Sequence, residues 1–384
     1  MKRFAALFLA LSVAGGAEAP AVDYAGDARA LDKFIVDDYA YQDHWPESVL
    51  PDSPELARER AAVHDRDSLL HYAEDRIASL ADHHAITGSS FPDSWAIIPT
   101  YADLWVERRD ADYVIEAVRV DSPAEHAGIA AGDRLLAVGG VPTERAVAGF
   151  WQLFGLQATP ERADYAARVL AAGRRDRPRD LTIAHGRETR RVQLPNLYGL
   201  QQDRSLLTVN GNVIRLNNSI GEQDTIAAFD RAMASLPANA PVVIDLTDTP
   251  SGGNTSVARA IMGWFVDRPV SYQVHQLPAE ERETGIPRQW IEQVLPRPGK
   301  HHAMLPIIRV GRWTGSMGEG IAIGFAAIGA RVEGTRMAQL KGAVYDFTLP
   351  SSGLVVKFPA ERLYTVQGSP REDFVVSAIG EGKE

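Results

Sequence analysis

The chain has 384 residues, no cysteine, and 50 acidic against 40 basic residues, a net charge of −10. With 45% hydrophobic and 23% charged residues it is composed like a soluble globular protein of about two or three domains, not like a disordered or multi-pass membrane chain. The acidic balance argues against nucleic acid as a partner. The missing cysteine removes disulfides, thiolate metal sites, iron–sulfur clusters and a thiol nucleophile together.

In chain order, Lys2 and Arg3 precede an apolar stretch, Phe4 to Val13, followed by small residues with cleavage points after Ala19 or Ala21. Residues 1–21 therefore read as a signal peptide for export to the periplasm or medium. About ten apolar residues are too few to cross a hydrocarbon core of roughly 30 Å. No cysteine follows to carry a lipid, and no later run is long enough for a membrane helix. Residues 22–95 are expected to be helical, with Leu31, Phe34 and Ile35, then Leu69, Leu70, Tyr72, Ala73 and Ile77, at helical spacing. A polar loop around Trp45 to Pro54 separates the two stretches.

Residues 96–196 form a second, β-rich module. Tyr113 to Val118 is a strand, Ser122 and Pro123 open a short helix, and Leu135 to Val138 is the next strand. Two strands flank His185-Gly186-Arg187 as a hairpin, and a polar helix is expected near 160–172. The run from Ser122 to Val138 resembles a PDZ domain of the bacterial periplasmic type. That resemblance implies capture of a peptide C-terminus by strand addition. The carboxylate-binding loop would fall near Tyr101 to Trp105, which lacks the family's usual glycines.

Residues 197–384 alternate strand and helix, an α/β core. Pro241 to Leu246 and Ile307 to Val310 are continuously apolar, as buried parallel strands are. Residues 277–302, polar and proline-containing, read as a surface insertion. The informative stretch is Val310 to Glu319. Ser316 stands between a buried strand and a helix, where backbone N–H groups can stabilise an oxyanion. This is the logic of a nucleophile elbow without the Gly-x-Ser-x-Gly spelling. Gly318, Gly320 and Gly324 have the wrong spacing for a dinucleotide loop. The His83-His84 and His301-His302 pairs lack metal-ligand spacing, so no metal or cofactor is expected.

The element order, with a PDZ module ahead of a Gly-Gly turn and a strand–Ser–helix unit, resembles the C-terminal processing (tail-specific) peptidases, a family of serine endopeptidases. Ser316-Met317-Gly318-Glu319 corresponds to their Ser-Ala-Ser-Glu motif. Asp245 to Gly253 corresponds to their Asp-Leu-Arg-x-Asn-Pro-Gly-Gly turn, with one residue more and no arginine. The resemblance implies a multidomain α/β protein: an N-terminal helical domain, a PDZ-like domain and an α/β (ClpP/crotonase-like) protease core. It implies Ser316 as nucleophile on polypeptide substrates, and an oxyanion hole from Gly252 or Gly253 with Met317. Two general bases stand open. Many members use a lysine, here Lys341. Members resembling the tricorn core use a histidine and a late glutamate; Asp82-His83-His84-Ala85 singles out His84, and Gly368 to Phe374 singles out Glu372. Ser–His–Glu is a workable triad. The alternative function is a non-catalytic peptide- or ligand-binding relative, suggested by the altered turn at Ser251.

Overall fold

The computed structural model describes residues 21–198, 205–237 and 239–376. The segment read as an export signal lies outside the described residues except for Ala21. Three helices come first: α1 (Tyr24–Asp38), α2 (Pro54–Ala62) and α3 (Arg66–Ala78). Each begins on an oxygen-bearing side chain, Asp23, Ser53 and Asp65, that accepts an otherwise orphaned N–H. Leu31 and Ile35 of α1 pack on Leu69, Tyr72, Ala73 and Ile77 of α3. This layer does not close on itself. Leu354, Val356 and Phe358, from the far end of the chain, complete its core. The buried Asp27 carboxylate also receives the N–H groups of Ser351 (3.0 Å) and Ser352 (2.6 Å).

The middle module is an antiparallel sheet of β1 (Leu104–Arg109), β2 (Asp112–Val118), β3 (Arg134–Val138), β4 (Arg179–His185) and β5 (Glu188–Leu194), in that spatial order. The short strand Val141–Pro142 joins β3. Helices α4 (Thr143–Leu153) and α5 (Pro160–Ala172) pack into the same core. The stretch expected as a polar helix is amphipathic: Ala163, Ala166, Ala167, Val169 and Leu170 are buried, a face whose small side chains hide it in a hydropathy reading.

The core sheet holds β6 (Leu207–Asn210), β7 (Val213–Leu216), β8 (Val243–Asp245), β11 (Ile307–Val310) and β12 (Arg331–Gly334), ordered β12-β11-β8-β7-β6. All neighbours are parallel except β6 with β7. Helices α6 (Asp224–Ser235), α7 (Thr255–Met262) and α8 (Met317–Ile328) contribute Phe229, Ile261 and Ile321 to one core with Ile214, Ile244 and Ile308. Parallel pairing of β8 and β11 brings the turns after both strands to the same carboxyl edge, where open α/β sheets bind ligands. A further parallel bridge, Asp248–Thr249 with Trp313–Thr314, carries the pairing up to the two turns.

A second sheet faces that edge. It holds β9 (Val270–Gln276), β10 (Gln289–Val294), β13 (Ala343–Thr348) and β14 (Val355–Tyr364), with the two-residue strand Ile86–Thr87 on β14. The expected surface insertion at 277–302 is thus partly a structural strand. Its alternation is concealed because β10 is an edge strand whose inward side chains, Trp290 and Glu292, are amphipathic or charged. No helix among the described residues is long and apolar enough to cross a membrane.

Candidate active site

Ser316 lies at the junction of Trp313–Thr314 and α8 with φ 51° and ψ −114°, a left-handed conformation that costs a non-glycine residue about 1–3 kcal/mol. The turn is tight because Gly252 packs directly on it. A Cβ at Gly252 would stand 2.4 Å from Ser316 Cβ and 2.5 Å from Met317 N, and Gly252 itself has φ +63°. Only glycine satisfies both demands.

His84 reaches the serine from the N-terminal helical layer. Asp82, 2% exposed, receives the His84 N–H at 2.9 Å and the Tyr39 hydroxyl at 2.7 Å. Two residues beyond His84, Ile86 pairs with Lys357 of β14. Held from both sides, the imidazole places Nε2 3.0 Å from Ser316 Oγ and Nδ1 2.6 Å from the Lys341 carbonyl oxygen. A carbonyl can only accept, so the proton sits on Nδ1 and Nε2 presents its lone pair to the hydroxyl. This is the tautomer a general base needs. Burial, then the Arg371 charge, holds the His84 pKa down at about 4, against the Lys341 carbonyl and Asp82.

The Lys341 carbonyl is aimed by two buried charged residues that the sequence reading did not single out. Glu319, fully buried, accepts the N–H groups of Ser316 (2.9 Å), Gln339 (2.8 Å) and Leu340 (3.2 Å). Arg371, 2% exposed, donates to the carbonyls of Leu340 (2.7 Å) and Gly342 (2.9 Å) and lies 4.0 Å from Glu319. The carbonyls on both sides of residue 341 are thereby occupied, leaving its own for His84. Burial lifts the Glu319 pKa to about 7 despite Arg371 and its three N–H donors.

Ser316 and His84 are brought together. Lys341 contributes its carbonyl, while its ammonium sits 5.6 Å over the Tyr41 ring, so Lys341 as a base is not what this geometry provides. Glu372 is not on the imidazole either. The Lys341 carbonyl holds Nδ1, and the short helical turn Arg371–Asp373 directs Arg371 inward instead. The Glu372 carboxylate lies beside Tyr41, whose hydroxyl pKa is raised first by burial and then by that charge. Of the oxyanion candidates, the Gly252 N–H is directed to the Thr249 carbonyl at 3.5 Å. The Gly253 and Met317 amides have no acceptor among the described residues, and both line a cavity of about 620 Å³ with His84 and Ser316. Ile86, Trp290, Tyr345 and Leu363 form other parts of its wall. Among the described residues no three His, Asp or Glu side chains gather as a metal site.

The module of β1–β5 grips the strand that enters Ser316. Arg312, 2% exposed, donates to Glu107 (2.6 Å) and Glu116 (2.5 Å), and its guanidinium stacks 4.7 Å over Trp105. Trp313 Nε1 donates to the Ala102 carbonyl at 2.7 Å, and the Thr100 hydroxyl to the Pro250 carbonyl at 2.8 Å. Replacing both Glu107 and Glu116 by Gln strips a buried guanidinium of its anions, a fault that costs about 3–5 kcal/mol. The double variant is expected to unfold at a lower temperature than the parent and to lose reactivity at Ser316. An unchanged midpoint and reactivity would show that the module does not hold the site.

This layout, a PDZ-type sheet clamped to an α/β core with a strained serine at a strand–helix junction, has the fold of the C-terminal processing peptidases. In particular, the chain is similar to mature CPAF complexed with lactacystin, at 15% identity over 92% of each chain with a TM-score of 0.57. It is also similar to the photosystem II D1 C-terminal processing protease, at 16% identity over 91% of each chain with a TM-score of 0.54. Residues 114–148 match the family model described as a PDZ domain. No curated protein sequence matches the chain.

Proposed function

We propose that the protein is an exported serine endopeptidase that cuts unfolded or flexible polypeptides through an acyl-enzyme on Ser316. The observation that carries this reading is the 3.0 Å approach of His84 Nε2 to Ser316 Oγ with Nδ1 committed to a carbonyl. His84 takes the hydroxyl proton as Oγ attacks the scissile carbonyl carbon. The Met317 and Gly253 amides face the oxygen on which charge develops. The Lys341 carbonyl keeps hold of Nδ1–H while the ring is charged, and Nε2–H then passes its proton to the leaving amine. Water repeats the sequence on the ester and frees the serine. A backbone carbonyl in the orienting position supplies direction with less charge than a carboxylate. The recessed cavity suits an extended chain better than a folded surface.

A fluorophosphonate probe tests the reading. Ser316 is expected to label, whereas a non-catalytic relative would stay unlabelled. The rate against pH tests the environment of His84. Because the imidazole pKa is lowered to about 4, the base stays neutral and labelling holds its plateau well below pH 6.5, falling only as pH approaches 4. The same shift has a stability consequence. Between 6.5 and about 4 the unfolded chain binds the His84 proton more readily, so His84 withdraws stability as pH falls through that window. An inflection of the labelling rate near 6.5 would contradict a desolvated His84.

A further inference from the structure

The outer edge of β1 is where a PDZ module would take up a peptide strand, since β1 pairs only with β2 and forms one side of the sheet. Residues 106 and 108 lie on the same side of that strand and face the same edge. Two of the backbone groups on that edge, the facing C=O and N–H of these residues, are already satisfied. The Val106 carbonyl accepts from Arg168 Nε at 3.0 Å, and the Arg108 N–H donates to Asp164 Oδ1 at 2.6 Å. Asp164 and Arg168 are one turn apart on α5 and 3.7 Å from each other.

The spacing explains why a helix can do this. Four residues of helix rise about 6 Å. Two residues of antiparallel strand span about 6.8 Å. The C=O of residue 106 and the N–H of residue 108 fall closer than that full repeat, and the Asp164 and Arg168 side chains, 3.7 Å apart at their tips, converge from the helix rise onto them. The guanidinium is further fixed by stacking 4.8 Å over Trp105 and by lying 3.8 Å from Glu107. Arg312 stacks on the same indole. The pair that fills the edge thus belongs to the network that clamps the strand entering Ser316.

We infer that α5 is the built-in ligand of the PDZ module: Asp164 and Arg168 occupy the acceptor and donor places of an added peptide, so the module is closed to free peptide termini. Its work is to hold the core, and substrate is read in the cleft. This conclusion is independent of whether Ser316 is reactive.

Amide hydrogen exchange on the full chain carrying Ser316→Ala, which leaves any added peptide intact, tests the inference. The probe is a synthetic peptide ending in an apolar residue with a free carboxylate. The Arg108 amide is expected to exchange slowly without peptide, and a millimolar excess of peptide should leave β1 unchanged. Asp164→Ala should speed Arg108 exchange about tenfold or more. Asp164→Asn, which keeps an acceptor oxygen, should restore protection and so separates a lost bond from a general loosening. Asp164→Ala combined with Arg168→Met, which keeps an apolar stem, should let the peptide protect β1. Protection of β1 by peptide in the parent would overturn the inference. So would equally fast Arg108 exchange in the parent and in Asp164→Ala, or an edge that the double variant leaves unable to take peptide.

Discussion

Ser316→Ala is expected to abolish hydrolysis of a casein-like unfolded substrate while leaving the thermal unfolding midpoint at or above that of the parent. If Ser316 is the nucleophile, the variant keeps only binding and the proposed oxyanion donors, so activity should fall by at least about a thousandfold. The stability half of the result follows from the backbone. Ser316 is held at φ 51°, ψ −114° by Gly252 packing and by Glu319 on its N–H, not by its hydroxyl alone. Removing Oγ leaves those contacts intact. Gly252→Ala is the contrasting case. Its Cβ would overlap Ser316 Cβ and Met317 N, so both activity and fold should suffer. Casein cleavage by purified Ser316→Ala at the parent rate would move the chemistry away from this turn.

The serine was legible because its signal is local. A buried strand, a short turn and a helix of small residues lie within some 20 residues, and the parallel partner strand with its Gly-Gly turn is equally compact. Four of the five strands of the middle module, β2 to β5, were legible for the same reason, while β1 was not. His84 was visible only through resemblance, since 232 residues separate it from Ser316 and no periodicity records that contact. Glu319 stands in the Ser316–Glu319 motif and Arg371 inside the stretch from Gly368 to Phe374, but neither stretch marks the two as partners. What makes them one device is that both bind the 339–342 loop, Glu319 taking its N–H groups and Arg371 its carbonyls, which only the folded chain reveals. Glu372 illustrates the converse. A carboxylate one residue from Arg371 matched a motif, yet the turn at 371–373 gives the inward position to the arginine. Of the second sheet, β9 and β10 went unread. Gln273, His275 and Glu292 face the cleft side there, and polar inward residues defeat the alternation that marks a strand.

The base is decided by three substitutions measured on one peptide substrate. His84→Ala is expected to lower kcat/KM by at least about a hundredfold, the scale of a lost general base. Lys341→Ala is expected to change it little, because the backbone carbonyl that holds Nδ1 survives the substitution and the ammonium rests on Tyr41. Glu372→Gln should cost less than His84→Ala, since its carboxylate is beside Tyr41 and not on the ring. The physical contrast between the two bases is steep. A lysine would have to fall from about 10.4 to about 7–8, roughly 4 kcal/mol of differential interaction at 1.36 kcal/mol per unit. The imidazole needs no such help and is already neutral, with its lone pair on the serine. The outcome that sinks this assignment is an inactive Lys341→Ala beside an active His84→Ala. In that event the Lys341 side chain must leave Tyr41 and reach Ser316 as the neutral amine when substrate binds, and the working pair is Ser–Lys.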